Sequence, residues 1–106
     1  MTRTIDIPTL AARHADGAFV LDVREPAEYV RGHVPGAVLA PLSRVATVLG
    51  SIPKDRTVHV VCASGNRSRA GADLLTGLGY DAVSVEGGTS AWAASGRPLV
   101  TGRQAA

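Results

Sequence analysis

The chain has a single thiol. Cys62 lies in the stretch VHVVCASGNRSRAGADLL, residues 58–75, between an apolar β-branched run and a segment with helical spacing. A cysteine attacks as its thiolate, whose ordinary pKa of about 8.5 falls to roughly 3.5–7.5 at a helix N-terminus or beside a guanidinium. Both influences are close in sequence. The following helix directs its first unpaired N–H groups back toward the loop, and Arg67 and Arg69 stand at the same end. Gly65 allows a backbone turn that other residues resist, and successive N–H groups then converge into an anion-binding nest. Ala63 and Ser64 are small and leave the mouth open, and Ser68 is placed to cap the helix. The chemistry this suits is a nucleophilic sulfur held as an anion. A lone cysteine after a strand is more often a small buried hydrophobe. A core cysteine, however, has no use for the polar, glycine-bearing ASGNRS directly behind it.

The elements that must position this loop are legible as an alternation. TIDI suits an edge strand, and Pro8 suits the first turn of a helix carrying Leu10, Ala11 and His14, ended by Gly17. AFVLDV is a continuous apolar run, as in a buried strand. REPAEYVRGH suggests a short helix with Pro26 near its start and Gly32 at its end. A very short strand is expected around residues 37–39. LSRVATVLGSI predicts a helix with Leu42, Val45, Ala46 and Leu49 on one face. TVHVV is the second strong strand, and Ser68 to Leu78 reads as a helix with Ala70, Leu74, Leu75 and Leu78 on its apolar face. DAVSVEGG and TSAWAAS give a last strand, a tight glycine turn at Gly87 and Gly88, and a last helix with Trp92 turned inward. Such alternation predicts an α/β domain with a mostly parallel sheet, and ligands of such sheets bind beyond the strands' carboxyl ends, where Cys62 falls.

Bulk properties set the limits. The 106 residues are 45% hydrophobic and 19% charged, which suits one globular domain. Ten of the eleven basic residues are Arg, with Lys54 the exception, and the formal net charge is +2. The arginines are scattered and aromatics are few, so the excess suits small anions better than a nucleic acid. One cysteine excludes an internal disulfide and multi-cysteine zinc sites, and nothing calls for a metal or cofactor. No secretory signal or membrane-spanning run is visible, so a soluble protein of the reducing cytoplasm is expected.

Three separated motifs resemble the rhodanese-like sulfurtransferases. CASGNRS is similar to that family's active-site loop, of the form C-x-x-G-x-R-S. VLDVREPAEYVRGHVPGAVLAP resembles its strand, Asp-Val-Arg, Glu-Tyr and Gly-His-x-Pro-Gly-Ala region, and LLTGLGYDAVSVEGGTSAWAASGRPL its closing segment. The resemblance implies a single rhodanese-like domain over residues 1–106, three-layered α/β/α around a five-stranded, mostly parallel sheet. Its core would span about residues 5–100, with 101–106 a frayed tail. It further implies that Cys62 takes the outer sulfur of a small anionic donor such as thiosulfate, holds it as a persulfide, and passes it to cyanide, a thiol or a protein acceptor. The loop Ala63, Ser64, Gly65, Asn66, Arg67 and Ser68 would hold the charged sulfur with its N–H groups.

Supporting roles are open for Asp22, Arg24 and Arg69. Asp22 can accept from loop N–H groups, pair with Arg67, or cap the next helix, while Glu28 is placed to pair with Arg24 across one helical turn. His33 reads as structural, tying down loop backbone. His59 differs from Cys62 in strand parity, and neither it nor His14 reads as a ligand. Two rival readings are a cysteine phosphatase, whose loops follow C-x5-R where only four residues separate Cys62 from Arg67 here, and a regulatory module or persulfide carrier with little turnover. Basic residues follow the cysteine in some thiosulfate-specialised members of the family; here those positions are Ala63 and Ser64.

Overall fold

The computed structural model describes residues 2–106. Five strands, β1 (Thr4–Ile5), β2 (Phe19–Asp22), β3 (Val38–Leu39), β4 (Val58–Val61) and β5 (Ala82–Val85), form one sheet in the order β1-β5-β4-β2-β3. Every pairing is parallel. The helices are α1 (Ile7–Ala15), α2 (Pro26–Arg31), α3 (Asn66–Gly77) and α4 (Gly88–Ala94). The fold is the expected α/β type around a five-stranded parallel sheet. No helix among the described residues is long and apolar enough to cross a membrane.

Strand alternation divides the core between two faces. Leu21, Val58, Val60 and Ala82 pack with Val45, Ala72 and Leu75 on the α3 side. Val20, Val61 and Val85 pack with Leu10, Tyr29 and Trp92 on the side of α1, α2 and α4. Cys62 continues the β4 alternation onto the α3 side, and His59 faces the opposite way. The helix starts are locally encoded. The Asp6 side chain caps α1 by accepting from Thr9 N at 2.9 Å, and Glu25 and Glu28 form a capping box at α2.

Three expectations are corrected. The stretch expected as one helix is instead two 3-10 helices, Leu42–Thr47 and Leu49–Ser51. Its apolar residues fit a period of three, with Val45 buried and Leu42 and Val48 packed beside it, whereas Ala46 is exposed.

In α3 the buried face is Ser68, Gly71, Ala72 and Leu75, and Leu74 and Leu78 are exposed. Small residues decide this. A Cβ on Gly71 would stand 3.3 Å from Val60 Cγ1, so the helix lies against the sheet where it has least side chain. The helix also begins two residues earlier than expected, at Asn66, so Ser68 is inside it.

The third correction concerns the tail, which has no regular structure but is tied down. Gly102 N donates to Val30 O, Gly36 N donates to Ala105 O, and Gln104 O lies 2.8 Å from His33 Nε2. His33, fully buried, also holds Tyr29 O through Nδ1 at 2.8 Å, which is the structural role expected of it.

The α3 face is tested by alanine scanning in urea. Leu75→Ala is expected to lower stability by about 2–5 kcal/mol, whereas Leu74→Ala and Leu78→Ala each change it by less than about 1 kcal/mol.

Candidate active site

Cys62 is the first residue after β4, and its side chain is 1% exposed. The chain then turns through Gly65, whose φ of +116° lies in the left-handed region, and enters α3. This turn returns the backbone over the sulfur, and Gly65 N donates to Cys62 Sγ at 3.0 Å. Burial is the largest single influence on the thiol and opposes its ionisation. The Ser68 hydroxyl and the backbone N–H groups of Ser68, Gly65 and Ser64 together outweigh burial, so the pKa is held below the ordinary thiol value.

Ser68 links the sulfur to the sheet. Its Oγ lies 3.5 Å from Cys62 Sγ, 3.0 Å from Gly65 O and 2.7 Å from Ser84 Oγ. Ser84 is the one polar side chain of β5 and is fully enclosed. The sequence signal for it was a lone hydroxyl inside the apolar run AVSV.

The loop is buttressed from α4. Thr89 N donates to Cys62 O at 2.8 Å, and Ser90 N donates to Ala63 O at 3.0 Å. This approach requires glycine at 88, because a Cβ there would stand 2.3 Å from Cys62 O and 2.9 Å from Ala63 O, on a backbone with φ of +56°. The Gly87–Gly88 pair is therefore more than a tight turn. It brings two further amides against the two carbonyls that begin the active loop.

The charged residues pair differently from the arrangements open in the sequence. Asp22 is fully buried and bound by Arg24, whose Nε and NH2 donate to its carboxylate at 2.8–3.1 Å. Arg24 NH2 also donates to Gly32 O at 2.8 Å. Asp22 thus neither caps α2 nor receives loop amides; it fixes the corner between β2 and α2. Arg67 pairs with Glu28 instead, through two bonds of 2.6 and 2.8 Å. That fork holds the Glu28 carboxyl down at about 2 and raises the Arg67 guanidinium further.

Arg69 is exposed and makes no hydrogen bond or ion pair among the described residues, and the Asn66 side chain is likewise exposed. Ala63 is half-buried and Ser64 exposed, so small side chains surround the mouth. A cavity of about 300 Å³ opens between α2 and α4, lined by Arg24, Glu28, Arg31, Thr89 and Ser90, and the buried Thr89 Oγ1 has no hydrogen-bond partner.

A profile of the rhodanese-like domain family matches residues 7–95. The chain belongs to that family. This rhodanese-like domain is 40% identical over 103 residues to a sulfurtransferase of Allochromatium vinosum, covering 94% of this chain and 96% of the relative. It is 38% identical over 82 residues to the thiosulfate sulfurtransferase GlpE of Pseudomonas entomophila, covering 76% of this chain and 75% of that one. Among solved structures, a rhodanese-related protein from Thermoplasma volcanium superposes with a TM-score of 0.85 at 36% identity, covering 92% of this chain and 97% of the other.

Two substitutions test the geometry of the rhodanese-like loop. Ser68→Ala removes a hydroxyl that favours the thiolate, so the pH midpoint for iodoacetamide alkylation of Cys62 is expected to move upward. An unchanged midpoint would show that the hydroxyl does not stabilise the anion. Gly88→Ala should destabilise the domain by about 2 kcal/mol or more, read as a lower thermal midpoint. Gly50→Ala serves as the control, since a Cβ there meets nothing within 4 Å and no positive φ is imposed.

Proposed function

We propose that the protein is a sulfurtransferase working through a persulfide on Cys62. The observation carrying this reading is the Gly65 N–H donated to Cys62 Sγ at 3.0 Å beneath the turn into α3, with the Ser68 hydroxyl and the amides of Ser68 and Ser64 also favouring the anion against burial. The thiolate attacks the outer sulfur of a sulfane donor. With thiosulfate, the new S–S bond forms at Cys62 as the donor's S–S bond breaks, and the electron pair leaves with sulfite. The persulfide carries the single negative charge the thiolate had, so the same amides hold it. A second thiolate, or cyanide, then attacks the terminal sulfur and releases Cys62 as thiolate. No general base is needed, and no histidine contacts the sulfur. The chemistry requires Cys62 to stay reduced, which fits a cytoplasmic setting.

The relative named thiosulfate sulfurtransferase makes thiosulfate the donor to test first. One feature favours a second reading, in which the domain receives its sulfur from another thiol or persulfide and acts as a carrier. Two of the cations around the loop are engaged, Arg67 by Glu28 and Arg24 by Asp22, and Arg69 is exposed. Ala63 and Ser64 add none. A dianion would then be drawn in chiefly by backbone dipoles, whereas a thiol persulfide needs no such field. A phosphatase is disfavoured by the four-residue spacing and by an Arg67 fork already filled by a carboxylate.

Intact-mass measurement decides between these readings. Incubation with thiosulfate is expected to add one sulfur atom to the wild type and none to Cys62→Ser, with no hydrolysis of an aryl phosphate. Loading by a thiol persulfide but not by thiosulfate identifies the carrier; loading by neither removes the sulfur-transfer reading.

A further inference from the structure

The arginine excess noted in the sequence is not used up by the active loop. Three of these residues gather at the other end of the sheet, around a cavity of about 670 Å³ lined by Arg3, Arg13, Arg56, His59, Asp16 and Val83. It opens at the amino ends of β2 and β4. His59 precedes Cys62 by three residues, about 10 Å along a strand, and faces the opposite side of the sheet. The cavity is more than twice the volume of the one between α2 and α4.

Its charges are unevenly matched. Arg3 is engaged by Asp81 and by Ala82 O. Arg13 and Arg56 have no carboxylate partner among the described residues. Arg13 NH1 lies 3.3 Å from His59 Nε2, and Arg56 NH2 donates to Gly17 O. Each contact uses one corner of a guanidinium and leaves the rest of the fork open.

His59 is a fixed part of this arrangement. It is 3% exposed, and its Nδ1 lies 2.9 Å from Phe19 O. With the proton on Nδ1, the ring donates to that carbonyl and accepts from Arg13 through Nε2, so a neutral imidazole anchors the guanidinium at the cavity wall. Burial first, and to a lesser degree the charges of Arg13 and Arg56, hold His59 below its ordinary pKa, against the opposing influence of Phe19 O and Asp81.

We propose that this cavity is a second ligand site, distinct from the Cys62 loop, for a compact oxyanion carrying two or more negative charges. The paired forks of Arg13 and Arg56 match the flat two-oxygen edges of phosphoryl and carboxylate groups. The apolar lining is aliphatic, with Ile5, Ala18 and Val83, and the one ring of the lining, His59, is 3% exposed, so little is offered on which a base would stack. Asp16, exposed on the rim, is the one carboxylate of the lining and is outnumbered by the arginines. The proposal is independent of what Cys62 does.

The test is an NMR titration of the full chain at low salt, using pyrophosphate as the phosphoryl probe and citrate as the polycarboxylate probe. Saturable shifts are expected at the amides of Ala18, Thr57, His59 and Val83 and should persist in Cys62→Ser. Arg13→Gln/Arg56→Gln is expected to weaken binding by roughly tenfold or more, and Arg13→Gln alone covers the case in which the double variant does not fold. Saturation by either probe at this edge supports the site, and the tighter probe identifies the group it takes. Shifts confined to residues 63–68, no saturation by either anion in the wild type, or undiminished affinity in folded arginine variants would overturn it. Because the wild-type and Cys62→Ser titrations require no sulfur chemistry, a failure here is separable from a failure of the persulfide reading.

Discussion

A sulfur anion inside a domain must be stabilised by something other than water, and here the Ser68 hydroxyl and backbone amides do that work. Gly65 donates to Cys62 Sγ only because the chain takes a left-handed turn at that residue. The turn also sets the start of α3, so the helix's first amides face the sulfur instead of solvent. This places two opposing effects on one atom. Burial discourages charge, and oriented N–H dipoles restore it without the reorganisation that water would need. A side-chain cation could supply similar stabilisation, but it would move. The amides of a helix entry cannot, provided the loop itself is held.

That condition explains the residues around the loop. The entry to α4 comes close enough for Thr89 and Ser90 to bond to the carbonyls of Cys62 and Ala63, and only a residue without Cβ at 88 permits it. Ser84 of β5 meets Ser68 of α3 and ties the cradle to the sheet. On the other flank, the buried Asp22–Arg24 pair closes the β2–α2 corner and reaches Gly32 O. Buried ion pairs add little net stability because of their desolvation, but this one directs both partners into fixed backbone positions. The glycines, serines and ion pairs thus serve one geometric end, the placement of four or so polar groups around a single sulfur.

The strongly patterned parts of the chain were legible before any coordinates. AFVLDV and TVHVV read as central strands because both of their faces are covered, and CASGNRS placed the thiol between strand and helix. Failures came where small residues or short spacing competed with hydrophobicity. Counting leucines put Leu74 and Leu78 on the inner face of α3, whereas Gly71 and Ala72 set how closely the helix approaches the sheet. Leu42, Val45 and Val48 have a period of three, which an eye trained on 3.6 assigns to the wrong helix type. The ion pairs were undecidable from sequence, since Arg67 could meet Asp22 or Glu28 depending on which way α2 faces. The tail lacked periodicity and so gave no sign that its carbonyls would meet the buried ring of His33.

The charge distribution that results is polarised in kind as well as in place. At the carboxyl end of the sheet, Arg24 and Arg67 are paired, with Asp22 and Glu28, and the unpaired Arg69 is exposed to solvent, so dipoles contribute much of the field at the sulfur. Dipolar fields fall off quickly and suit an atom that must be held close. At the amino end, Arg13 and Arg56 remain without carboxylate partners and act at longer range, on the opposite face of the sheet. Pairing Arg67 and Arg24 in this way leaves backbone dipoles prominent around the thiol, and the two ends of one short sheet present different fields to an anion.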